Sequence, residues 1–334
     1  MLSNLDDLLA AVEYVYGDDS PIKALRTLAG VRRFKSGEDP KAVAKWAGTT
    51  VAKLREVAKA KSPVKAALGC SLDDALDEKL QTRVRRNLGQ LLVGHLAERG
   101  FEKLYKTTMG TDQLRLEDDR AARTDTDYRV LNGNDRRVFR INIKFFGSRF
   151  RNAKELVGLD PDDCFALATY KIKSGLDKQD EESLPYLFVI VGVPDLTGDK
   201  VGTVIPENLR HLCALIHHAP KAVGKRGIED AIVGRLMHTQ PDEVRDALDG
   251  FREQIDAAQW HVLSARRADQ LLREKLFERV YAVRVRGFAR NYPNAELDMH
   301  FSLKTDLTPL LKFLNGIKQD GLNKAMVQLE RGTM

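Results

Sequence analysis

Apolar residues recur at helical spacing over 5–16 (Leu5, Leu8, Leu9, Val12) and over 21–35 (Ile22, Leu25, Leu28, Val31). The pattern predicts two helices, the second entered through a Ser20 cap with Pro21 at its first position. Two shorter helices are predicted over 37–61, GEDPKAVAKWAGTTVAKLREVAKAK. Asp39 caps a helix that Pro40 starts, Gly48 makes the turn, and Thr49 or Thr50 caps the next. Val43, Ala44, Ala47, Val51 and Leu54 pack the pair together, leaving Lys41, Lys45, Thr50, Lys53 and Arg55 to face outward. Short helix, glycine turn, second helix is helix-turn-helix order, although a plain helical hairpin with solvated lysines has the same pattern.

Ser62-Pro63 and Leu68-Gly69-Cys70-Ser71 punctuate the chain and set a soft boundary near 62–70. A long helix is predicted from Leu72 to about Arg99, with Leu76, Leu80, Val84, Leu88, Leu91, Leu92 and Leu96 on one stripe and Arg99-Gly100 as its end. The period then changes. FEKLYKT (101–107) and TDYRVL (126–131) read as strands, NGND (132–135) as a tight turn, and VFRINIKFF (138–146) as a third, alternating strand. A helix over about 161–172, a charged loop, and the almost wholly apolar PYLFVIVGV (185–193) follow, the last reading as a central strand buried on both faces. Helices are expected over about 205–219, 226–237, 241–257 and 260–278, then strands over 279–288 and 295–303, and a final helix from about 307. The class is mixed α/β, divided as 1–68, 69–200 and 201–334. In the middle span the order is helix, three strands, helix, strand.

With 334 residues and 43 % hydrophobic content the chain can bury one large core or two to three smaller ones, at roughly 100–200 residues per domain. No run of eighteen apolar residues occurs, and acids stand near the N-terminus where a signal peptide needs basic residues, so a cytoplasmic protein with no membrane contact is expected. Cys70, Cys164 and Cys213 are too widely spaced for a metal clip and read as reduced, buried small residues. His217-His218 and His238 read as surface or core residues, without acids or cysteines at zinc-ligand spacing. Trp46 and Trp260 read as packing anchors. No GxxxxGK[ST], GxGxxG or GxSxG motif occurs, which argues against a nucleotide cofactor and against an elbow-type serine hydrolase.

Lys and Arg number 54 against 48 Asp and Glu, a net +6 that suits a polyanionic partner. The excess is concentrated in VRRFK (31–35), KAVAK (41–45), KLREVAKAKSPVK (53–65) and RVRR (83–86). That clustering places phosphate contacts in the first quarter, with Lys45, Thr50, Lys53 and Arg55 on the groove-facing helix. Arg136, Arg137, Arg140, Arg149 and Arg151 form a second basic group around the hairpin. Arg284 and Arg286, two apart on a predicted strand, project together and can fork onto guanine edges.

Cleaving a phosphodiester with Mg²⁺ needs hard oxygen ligands and a lysine to orient or activate water. Asp127 on the middle strand, with Asn142 and Lys144 two apart on the next, is a compact way to build this, because residues two apart share a face. On Thr126-Asp127 with Tyr128-Arg129-Val130, on Asn142-Ile143-Lys144 and on the element order, residues 72–195 resemble the PD-(D/E)XK nuclease superfamily of restriction endonucleases. The resemblance implies a restriction-endonuclease-like core with a mixed central sheet flanked by helices. It implies Asp127 as metal ligand, Lys144 as water activator and Asn142 at the second ligand position, where the family has an acid. An amide oxygen can ligate but carries no charge, so Asp125 or Glu98 has to supply it. The family's helix-borne glutamate falls on Gln90 or Glu98. The function implied is Mg²⁺-dependent cleavage of double-stranded DNA by a homodimer, of the type II restriction or phage-defence kind. The alternative is a non-catalytic DNA-binding regulator on a degenerate nuclease fold.

Overall fold

The computed structural model describes residues 5–16, 23–75, 77–110, 114–120, 126–218, 225–238, 242–281 and 298–333. Two compact units are each built from two stretches of chain, 1–93 with 197–250 and 94–196 with 251–334. Ser20, Pro21, Ile22, Leu76, Asp125, Arg284 and Arg286 lie outside the described residues.

The first unit holds helices α1 (Leu5–Tyr16), α2 (Lys23–Lys35), α3 (Pro40–Trp46), α4 (Val51–Lys59), α5 (Pro63–Leu68) and α6 (Leu72–Ala75). The start of α7 (Glu78–Met109) belongs to it as well. Asp39 caps α3 by accepting the Ala42 amide at 2.9 Å, and Thr50 rather than Thr49 caps α4, accepting the Lys53 amide at 3.1 Å. Gly48 makes the turn between them at φ +62°, a left-handed conformation that costs glycine nothing. Val31, Val43, Ala44, Leu54 and Val57 form the core between α2, α3 and α4. A methyl group on Gly30 of α2 would come within 3.3 Å of both Val43 and Leu54, so the α3–α4 pair packs tightly onto α2 through that glycine. The unit also contains α10 (Gly198–Val201), α11 (Glu207–His218), α12 (Lys225–His238) and most of α13 (Asp242–Asp256).

The second unit is built on a six-stranded mixed sheet in the order β1-β2-β3-β5-β6-β9. Strands β1 (Leu114–Asp118), β2 (Tyr128–Asn132) and β3 (Arg137–Phe146) form an antiparallel meander. The 132–135 turn is closed by Asn132, whose Oδ1 accepts the amides of Asn134 and Arg136, each at 3.0 Å. Strand β5 (Tyr186–Gly192) runs parallel to β3, while β6 (Trp260–Ser264) and β9 (Thr308–Pro309) continue the sheet antiparallel. Tyr186 through Val191 are all buried, as expected of a central strand. The face carrying Phe188, Ile190 and Leu263 packs under α9 (Thr169–Glu182) and α14 (Ala265–Arg279) through Ile172, Ala268 and Leu271. On the other face Phe101 of α7 meets the rings of Tyr128 and Trp260 at 5.6 and 6.2 Å.

Several expectations are corrected. The long helix does not run unbroken from Leu72: α6 ends at Ala75, and α7 begins at Glu78, where Asp77 Oδ1 accepts the Leu80 amide at 2.8 Å. FEKLYKT is the continuation of α7. Phe101 and Tyr105 are buried four residues apart, and Gly100 lets the helix approach Ile255 and Trp260 rather than ending it. The 161–172 stretch is a 3₁₀ turn followed by a strand, β4 (Cys164–Ala168), which pairs with β8 (Asp298–Ser302) in a small sheet that also contains β7 (Val280–Tyr281). Asp163 fixes that pairing by accepting the Ser302 hydroxyl at 2.8 Å and the Lys304 amide at 2.9 Å. The charged loop is the helix α9, whose buried Ile172, Gly175 and Gln179 keep helical spacing beneath a charged outer surface. Residues 260–264 form β6 instead of opening a helix. The end of the chain is β9, then α15 (Leu310–Asp320) and α16 (Leu322–Arg331), parted by Gly321 at φ +84°. Among the described residues no helix is long and apolar enough to cross a membrane.

Candidate active site

The pairing of β2 with β3 positions the first three site residues. Asp127 stands at the mouth of β2, one residue before it, and its amide donates to the Ile141 carbonyl at 3.0 Å. The paired register ends at Tyr128–Ile141, so Asp127 lies just beyond the ladder, next to the Ile141–Ile143 stretch of β3. Residues two apart on one strand share a face. Asn142 and Lys144, two apart on β3, therefore share a face, and the Lys144 charge acts on Asp127. Asp127 Oδ2 accepts the Ile143 amide at 2.5 Å. Lys144 Nζ donates to Asn142 Oδ1 and, at 3.4 Å, to the Ile143 carbonyl.

Glu98 of α7 comes within electrostatic reach of Asp127. Gln90, the other candidate, is exposed and lays its stem against Gly198 in the first unit, so geometry selects Glu98. Burial would raise the Glu98 carboxyl, but hydrogen bonds from His95 and Arg120 overrule it and hold the group below the usual carboxylate range. Asp127 goes the other way. Burial, with the Glu98 charge added, pushes its carboxyl up to about 6 against the pull of the Ile143 amide, Lys144 and Arg120.

Arg120 is a member of the cluster that the sequence reading missed. Its Nη1 meets Glu98 Oε2 at 2.7 Å, its Nε meets Asp118 Oδ1 at 2.8 Å, its Nη2 meets Asp118 Oδ2, and its guanidinium lies 5.3 Å from the Tyr128 ring centroid. The one signal in the sequence is the acid-rich LEDDR run (116–120) just ahead of the predicted middle strand. His95 Nδ1 lies 3.4 Å from Glu98 on the next turn of α7. Asp118, Asp127 and Glu98 set against Arg120 and Lys144 leave the cluster one negative charge in excess. The donor atoms that could serve a cation, carboxylates of Asp127 and Glu98 and the Asn142 amide oxygen, are all hard oxygens of the kind Mg²⁺ takes. A cation there would offset the Asp127 charge, but it would compete with Lys144 for Asn142 Oδ1 and with Arg120 for Glu98 Oε2.

The basic candidates are scattered. Lys45 and Arg55 are exposed on α3 and α4, Thr50 spends its hydroxyl on the α4 cap, and Lys53 Nζ pairs with Glu56 at 2.6 Å. In the second unit Arg149 pairs with Asp162 at 2.6 Å and Arg151 is exposed. Arg140, expected along a groove, is instead only 4 % exposed and is bound to Glu182 of α9 and to Thr126, which hold its guanidinium against the protein. Trp260, Cys70, Cys164 and Cys213 are buried as expected, and Trp46 is partly covered by the Arg33 guanidinium, 4.5 Å from its ring centroid. His217 is largely buried, with Glu229 Oε1 2.9 Å from its Nε2 and Cys213 beside both. No family model, curated protein or solved structure matches this chain, so its own geometry is the basis for a functional reading.

Proposed function

We propose that this chain is a Mg²⁺-dependent endonuclease that hydrolyses phosphodiester bonds of double-stranded DNA, of the restriction or phage-defence kind, on a PD-(D/E)XK-like core. The observation that carries the reading is Asp127 bound through its carboxylate to the Ile143 amide, between Asn142 and Lys144 of β3, with the charge of an acid from the preceding helix acting on it. The mixed sheet with β5 parallel to β3 supports it, although β4 intervenes before α9 and the strand expected over 101–107 is part of α7. Asp127, Asn142 and Glu98 would hold the ion, which when bound acidifies water and offsets charge on the phosphate. Lys144 orients the attacking water from the same face. Helices α3 and α4 bring Lys45, Lys53 and Arg55 to the DNA backbone, and cutting both strands with one site per chain calls for two copies.

The test is Mg²⁺-dependent nicking of plasmid DNA by the purified chain. Lys144→Ala is expected to abolish nicking while leaving DNA binding nearly intact, because affinity is spread over many phosphate contacts. Joint loss of binding and nicking in a folded variant would remove Lys144 from the chemistry.

A second reading, a non-catalytic DNA-binding regulator, is favoured by one observation. Lys144 is held on Asn142, and Arg120 bridges Glu98 and Asp118, so most of the charge in the cluster is balanced from within. Wild-type protein that binds DNA and never nicks it at any Mg²⁺ concentration would establish that reading instead.

A further inference from the structure

We propose that Cys213, His217 and Glu229 form a site for a thiophilic divalent metal of the Zn²⁺ type. Cys213 and His217 are four apart on α11 and so lie one above the other on the same helix face. Glu229 on α12 faces them. Their donor atoms all lie within 4.8 Å of one another, with His217 Nε2 at 2.9 Å and Cys213 Sγ at 3.8 Å from Glu229 Oε1. Bonds of about 2.0–2.3 Å around a tetrahedral Zn²⁺ give ligand–ligand edges of roughly 3.3–3.8 Å. Seating the ion needs His217 and Glu229 to part by under about an ångström.

Burial and chemistry both favour a metal. Cys213 is buried, and the side chains of His217 and Glu229 are only 10 % and 13 % exposed. Leu212, Ile216, Ile228 and Ile232 on the same two helices are buried too, so the ligands sit in apolar surroundings that strengthen charge–charge attraction. One sulfur, one imidazole nitrogen and one carboxylate oxygen suit Zn²⁺ or Co²⁺ and discriminate against Mg²⁺. This separates the site chemically from the all-oxygen cluster around Asp127, and it lies in the other compact unit. Three protein ligands leave a fourth position for water. The ion would tie α11 to α12 across the 219–224 connection.

The experiment is a Co²⁺ titration of the full-length, reduced, chelator-treated protein, followed by absorption. One cobalt per chain is expected, with the visible bands of a tetrahedral ion and a near-ultraviolet thiolate-to-cobalt charge-transfer band, both bleached by Zn²⁺ and untouched by excess Mg²⁺. Cys213→Ser, which is nearly isosteric, should remove the charge-transfer band. It should also weaken binding by more than the roughly 10–100-fold that loss of an outer-shell partner costs. Cys70→Ser and Cys164→Ser should keep the spectrum. Failure of the folded wild-type chain to bind cobalt stoichiometrically, or a charge-transfer band that survives in Cys213→Ser, would overturn the proposal.

Discussion

Asp127 carries its charge at a cost to folding. Its carboxyl stands at about 6 where an ordinary one stands at 3.8, so its contribution to stability is fully present below the ordinary value and is lost as pH rises through 6. Asp127→Asn keeps an acceptor for the Ile143 amide and removes the charge. It is expected to stabilise the protein at pH 8 by about 1–3 kcal/mol, and the advantage should vanish near pH 4. Urea unfolding at the two pH values checks this, and a variant less stable than wild type at pH 8 would show that the hydrogen bond outweighs burial. The neighbouring amide has its own test. Asn142→Asp should lower the Mg²⁺ concentration needed for nicking and Asn142→Ala should remove activity, read by titrating Mg²⁺ against plasmid nicking. If both variants nick like wild type, Asn142 has no part in the site. Asn142 and Lys144 share a face because strand alternation converts spacing into one, whereas Asp127 lies one residue outside β2 and is tied to β3 by its carboxylate. Arg120 was not legible, since a guanidinium that reaches Glu98 across 22 residues leaves no periodic mark. The Cys213–His217 pair was one helical turn apart in plain view, but the Glu229 that completes it comes from another helix.

At the level of elements, the helix-turn-helix and the β2–β3 hairpin followed their local signals, because caps, glycine turns and alternation act within a few residues. FEKLYKT, CFALA and WHVLS did not. Each is a short apolar stretch whose state is set by a partner far along the chain: Trp260 for Phe101, β8 for β4, β5 for β6. Local propensity cannot see such partners. If α4 enters a groove, Arg55→Ala and Lys53→Ala should each flatten the dependence of DNA affinity on salt, by about one unit of slope per lost phosphate contact. Breaking the exposed Lys53–Glu56 pair costs little stability, so a change in Lys53→Ala reports on DNA rather than on folding. An unaltered slope in both variants would make α3 and α4 a structural hairpin.

Over the whole molecule, the boundary expected at 200 falls close to the division at 196/197, the one at 68 has no counterpart, and each compact unit takes two separate stretches of chain. The sheet explains why. β5 has β3 on one side and β6, from residues 260–264, on the other, while β4 depends on β8 from residues 298–302. A fragment of residues 69–200 therefore carries the candidate catalytic trio but leaves a central apolar strand with an open edge. It is expected to lack a cooperative unfolding transition in urea and to aggregate. A sharp two-state transition for that fragment would show that β6 and β8 are dispensable.

The hydrogen bond from the Ile143 amide to Asp127 also bears on how such a protein would age under mutation. Selection for folding alone demands an acceptor at position 127 and penalises a charge there, and asparagine answers both demands. A lineage released from any need to cut would drift to the amide and gain stability on the way, whereas drift to alanine would take away the acceptor of the Ile143 amide. Loss of function at this position would thus be written as a single conservative exchange, invisible to a comparison that scores only shape and polarity.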